Sequence, residues 1–183
     1  MKLAALTSYT LRLINFFTFT QGKKDKNKEA ELPPLTSIGA MTFGCKVNGK
    51  VFVPPDGRGK SGLRVEYVNL GDIPDVGWHL NTSASGYQSN FINGVNIETD
   101  SLPLQEGIRY EFKTTKGNTN AFYQTAFDRR VLVFPKLDNQ PGSLYIKKHD
   151  KINRILSGTF SFTGTNSNGE KISITEGRSD IRY

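Results

Sequence analysis

From about Thr42 onward apolar residues recur at every second position, broken by turn residues at short intervals. No stretch keeps a helical period long enough to read as an amphipathic helix. The clearest element is Ile155 to Thr163. Leu156, Gly158, Phe160 and Phe162 share one side, and Ser157, Thr159, Ser161 and Thr163 share the other. One face of such a strand is core and the other is wet. It is flanked by strands at Leu144 to His149 and at Lys171 to Thr175, the latter extending to Tyr183. The turns between them are Asp150 to Asn153 and Thr165 to Glu170, and a bulge is expected at Glu176-Gly177-Arg178.

Upstream, Leu63 to Tyr67 alternates apolar with charged residues and reads as a half-buried strand. Trp78 to Leu80 gives a short strand, and Phe91 to Thr99 a longer one interrupted at Asn93-Gly94. Ile108 to Lys113 alternates cleanly. Ala121 to Phe127 and Val131 to Phe134 form a hairpin around Asp128-Arg129-Arg130, and the second arm, apolar throughout, is expected at the centre of a sheet. Around Asn48-Gly49 two registers compete. A three-residue loop, Val47-Asn48-Gly49, sets Cys45 against Val51 and Phe43 against Val53; a two-residue loop sets Val47 against Lys50. Apolar pairing favours the first. About nine or ten strands without crossover helices predict an all-β fold, an antiparallel β-sandwich, with a closed lipocalin-like barrel as the alternative.

The first 31 residues differ. An uncharged stretch, Leu13 to Gly22, has about the length of a leader's apolar region, diluted by Asn15, Thr18 and Thr20. Lys23 to Glu31 follows as a charged tether ended by Leu32-Pro33-Pro34. The chain therefore divides into a leader-like segment with tether at 1–31 and a single all-β domain at 32–183. Of the formal charge of +7, the first segment carries six basic and three acidic residues, leaving +4 for the domain. There the signs alternate, as in Arg64 with Glu66 and Arg109 with Glu111, which suits a solvated strand face rather than a phosphate-tracking groove. No nucleic-acid partner is expected.

One Cys and two His among 183 residues exclude a disulfide framework and a cysteine-rich zinc site. No catalytic set, metal-ligand set or cofactor site is picked out. Asp56 to Gly62 contains Gly-Lys-Ser, the end of a phosphate loop, but Pro54 stands where the pattern needs Gly and a strand follows where a helix should open. Cys45 lies within a strand on the side of Phe43 and reads as core. Trp78 and His79 follow a loop carrying Asp72 and Asp75, a combination that suits a metal or sugar site; against it, aspartates in loops ordinarily form turns and a Trp entering a strand is ordinarily core. Asn81-Thr82-Ser83 matches a glycosylation acceptor. The candidate ligand-binding residues are Trp78, His79, Tyr87 and Tyr123.

The run Thr42-Phe43-Gly44-Cys45-Lys46-Val47-Asn48-Gly49-Lys50-Val51-Phe52-Val53-Pro54, with Glu31 to Thr36 before it, resembles a family of Bacteroidetes-type cell-envelope lipoproteins of unknown function. Ser157 to Phe162, Gly169-Glu170, Ile174 to Asp180 and Tyr183 extend the resemblance over residues 31–183. It implies a leader whose lipidated Cys precedes a Lys/Asp-rich tether; here Gln21 and Gly22 stand at that place.

Three functions are expected in order. The first is a non-catalytic envelope, periplasmic or extracellular β domain that binds or scaffolds an envelope partner or glycan, with membrane association only through an N-terminal anchor. The second is a small-ligand or carbohydrate-binding module using Trp78, Tyr87 and Tyr123. The third is a hydrolase.

Overall fold

Eleven strands are present among the residues described by the computed structural model, which are 31–55, 62–71, 77–88, 91–128 and 130–183. Residues 1–30, which carry the leader-like stretch and most of the charged tether expected from sequence, the Gly-Lys-Ser loop and the pair Asp72 and Asp75 fall outside them. In chain order the strands are β1 (Thr42–Val47), β2 (Lys50–Phe52), β3 (Gly62–Asn69), β4 (Trp78–Gln88), β5 (Phe91–Thr99), β6 (Arg109–Glu111), β7 (Thr119–Phe127), β8 (Arg130–Pro135), β9 (Gly142–Asp150), β10 (Ile155–Thr165) and β11 (Lys171–Arg182). They form a six-stranded sheet, β2-β1-β11-β10-β9-β6, and a five-stranded sheet, β3-β4-β5-β7-β8. All strand pairs are antiparallel, and the sheets do not close into a barrel. The fold is a β-sandwich.

The core sits between the sheets, where the alternation of each strand puts its apolar side. Leu144, Ile146, Leu156, Phe160 and Ile181 from one sheet meet Leu80, Ala84, Val95 and Ile97 from the other. Phe43 stacks on Phe160 with ring centroids 5.0 Å apart. Cys45 is fully buried, as its place beside Phe43 predicts. The bulge in β11 is present: Glu176 takes φ 51° and is the extra residue against both neighbouring strands. Gly177 follows it because a Cβ there would lie 2.4 Å from the Phe160 ring.

Four expectations need correction. The first hairpin uses the two-residue loop. Asn48 and Gly49 have φ of 48° and 81°, the pair of left-handed residues that a type I′ turn demands. Cys45 therefore opposes Phe52, and Val47 opposes Lys50. Turn chemistry outweighs the apolar pairing, and Phe52, not Val53, reaches the core. The strand at Phe91–Thr99 runs through Asn93-Gly94 without a break, in continuous register with both neighbours. The strand from Trp78 extends to Gln88, its small and polar residues held between two partner strands. Finally β8, apolar throughout, is an edge strand rather than a central one.

Candidate functional site

The end of β4 at Gly86 and Tyr87, the start of β5 at Phe91, Tyr123 of β7 and the β1–β2 hairpin come together at one end of the sandwich. Between them opens a cleft of about 660 Å³. Its position follows from the register of the three sheet-B strands. Buried Leu80, Thr82 and Ala84 mark the inner side of β4, and Val95 and Ile97 mark that of β5. Continuing the same parity toward the turn brings Asn93 and Phe91 to the inner side beyond the packed core. The opposing wall is the first hairpin, with Phe52, Val51 and Lys50. Tyr87 lines the rim through its place in β4 and is half exposed, its parity turning the ring to the outer side of the sheet.

Gly86 makes the approach of the two walls possible. A Cβ at that position would lie 2.7 Å from Asn93 Oδ1 and 3.3 Å from Phe52 Cε2. Tyr123 closes the inner end, 5% exposed, its ring tilted against Phe134 at 5.9 Å. Burial raises the pKa of its phenol above the ordinary tyrosine value, while Asn93, close enough to hydrogen-bond it, acts in the opposite sense. Tyr123 is therefore a neutral hydroxyl at pH 7, able to donate and to accept. The cleft combines aromatic walls, a phenol and an amide at its inner end and one lysine at its mouth, in the volume range of small-ligand sites.

The sequence candidates separate into two places. Tyr87 and Tyr123 both line the cleft. Trp78 and His79 lie at the opposite end of β4, about 30 Å from Tyr87 along the strand. Trp78 is partly buried and stacks on Tyr67 at 4.7 Å, so the three rings Trp78, Tyr87 and Tyr123 form no common platform. His79 Nδ1 stands 3.7 Å from Asp100 Oδ1. Among the described residues no three His, Cys, Asp or Glu side chains converge as metal ligands.

At that far end Tyr67 also meets His149 and Tyr183 edge-on, joining the two sheets. His149 Nδ1 lies 2.9 Å from the Leu104 carbonyl oxygen, so that nitrogen carries the proton and donates. Nε2, 3.0 Å from the Tyr183 hydroxyl, then accepts from it in the neutral ring. Both nitrogens are satisfied by protein groups, which makes this histidine a strut of the fold.

A second hollow, of about 460 Å³, lies between β6 and residues 136–143. Arg109, Lys113 and Lys136 share its lining with Glu111 and Asp138, the mixed-sign surface that the sequence predicts. Lys136 is buried and donates to the Phe112 carbonyl.

Lys50, Phe52, Phe91 and Asn93 are cleft residues that sequence reading misses. The Asn48-Gly49 turn was the available signal for Phe52, because it fixes which residue of β2 faces inward. No family model matches the chain, and no curated protein or solved structure matches it either.

Proposed function

We propose that this protein is a non-catalytic binding domain of the cell envelope or extracytoplasmic space that takes a small ring-shaped ligand, such as the end of a glycan, in the cleft between the first hairpin and the β4, β5 and β7 strand ends. The observation that carries the reading is the composition of that cleft. Phe52 and Phe91 offer aromatic surface, and Asn93, Tyr123 and Lys50 offer directed polar groups beside it. A sugar ring needs both, an apolar face to stack and hydroxyls to pair. The extracytoplasmic part of the reading is supported by the sequence of residues 1–31, an uncharged stretch followed by a charged tether.

The test is a glycan array probed with the full chain and with Phe91→Ala and Asn93→Ala. Binding that falls at least tenfold in both variants supports the cleft. Binding unaffected by either, or no binding to any glycan or small ring ligand, removes it. Fractionation of cells expressing the full chain tests location separately, and recovery only in the cytoplasm contradicts that half of the proposal.

A further inference from the structure

The four sheet edges are not alike. β2 and β6 are three residues long, and β3 presents Arg64 and Glu66 outward, all three being ordinary protections against pairing with another chain. β8 has neither shortness nor charge along its middle. Val131, Leu132 and Val133 are 62%, 37% and 42% exposed, and Phe127 across the hairpin is 60% exposed.

The backbone of β8 has a defined phase. Pairing with β7 sets Phe127 against Arg130 and Thr125 against Leu132, and the Lys136 amide donates to the Ala121 carbonyl at 3.0 Å in the same register. Even-numbered residues of β8 therefore turn their amides and carbonyls toward β7. Those of Val131 and Val133 face the open side. Pro135 falls in the same set, its missing N–H costing no bond to β7, and from Lys136 on that side is taken by the bridge to Gly164 of β10, so the free edge runs from Arg130 to Phe134.

We propose that β8 pairs with β8 of a second copy of this chain, antiparallel, with Leu132 opposite Leu132 on the two-fold axis. That register puts Val131 opposite Val133 of the partner, twice, and each pair exchanges two N–H···O=C bonds. Moving the register two residues one way places Pro135 in a donor position, and moving it the other way leaves one of the valine pairs unmade. The occupant is a second copy because the edge is its own complement. The outward side chains that meet, Val131 and Val133, and their neighbours Gln124 and Ala126 on β7 carry no charge. Elsewhere two domains of net +4 repel. The two Arg130 residues end up about 13 Å apart along the strands, beyond the screening length of about 8 Å at physiological salt. An apolar strand that reads from sequence as central becomes central in the dimer, in a continuous ten-stranded sheet.

The edge alone is smaller than a standard interface, so the dimer is of the weak class. Sedimentation velocity of the full chain from about 1 µM to 1 mM is expected to show a reversible monomer–dimer equilibrium. Val133→Pro removes only an open-side N–H, and Val131→Lys places a charge on the joint; each is expected to weaken dimerisation at least tenfold while the cooperative melt is kept. Leu132→Cys is expected to give a disulfide-linked dimer under mild oxidation, because opposed residues at the axis lie within bridging distance, whereas Val133→Cys is not. A monomer throughout the concentration range overturns the proposal. So does a dimer insensitive to Val133→Pro and Val131→Lys, or a monomeric chain that captures a synthetic extended peptide along β8 instead.

Discussion

The Asp180 carboxylate accepts a hydrogen bond from the Thr36 hydroxyl at 2.6 Å, between residues 144 positions apart in the chain. The same side chain receives the amides of Ile38 at 3.0 Å and Gly39 at 2.7 Å. It is 1% exposed, and with it the segment after Pro33-Pro34 is fastened near the end of β11, the longest strand described. Ser37 adds a hydroxyl contact to Ser157 at 2.7 Å.

Burial of Asp180 acts to raise its pKa. The bonds from Thr36, Ile38, Gly39 and Ala40 outweigh it and hold the carboxyl below the ordinary aspartate value. A depressed native value means stability that is present above the unfolded value, near about 4, and is lost as the pH falls through the native one. Thermal melts from pH 7 to pH 2 are expected to show this loss beginning below about pH 4. In Asp180→Asn the baseline is lower by about 2–4 kcal/mol and the acid-dependent part is smaller, since a charged acceptor of several donors is gone. A variant that melts like the parent at pH 7 contradicts the assigned role.

Cys45 is fully buried opposite Phe52, and burial pushes its thiol up to about 12. The thiolate is the reactive form, so a thiol reagent at pH 7–8 is expected to leave the native chain unlabelled and to modify it once in denaturant. Rapid labelling of the folded protein would place Cys45 outside the core.

The turn Asn48-Gly49 sets the wall of the cleft by directing Phe52 inward. Asn48 is held at both ends, its amide donating to the Ser173 carbonyl and its side-chain oxygen accepting from the Ser173 amide, each at 2.8 Å. Gly49→Ala forces a Cβ into a left-handed position and is expected to cost about 1–2 kcal/mol. Because the hairpin carries Phe52, the same change is expected to weaken ligand binding beyond its effect on the melt. Loss of stability with binding unchanged would show that the hairpin is not part of the site.

What the sequence reveals and what it hides follows from how local each signal is. The alternation in β10 is legible because Leu156, Phe160 and Phe162 face Ser157, Ser161 and Thr163 within one strand. Even there Ser157 is buried, drawn in by the Ser37 contact from a remote segment. The bulge near Glu176 is legible because Gly177 punctuates an alternating run. β8 misleads because an apolar run signals two covered faces without saying what covers them. The second half of β4 is hidden because Asn81 to Gln88 carries small and polar residues whose strand form is imposed by β3 and β5. The cleft is the least legible feature. Its walls come from β2, β4, β5 and β7, and only strand order brings Phe52 and Asn93 together across Gly86.

Amide NMR of the full chain, titrated with the best-bound glycan from the array, tests the binding site most directly. The expected result is saturable shifts at Lys50, Phe52, Tyr87, Phe91 and Asn93, with Trp78 and His149 at the far end unmoved. Saturable shifts at Trp78 and His149 with the cleft unmoved would place the site at the other end of the sandwich and contradict the proposed one.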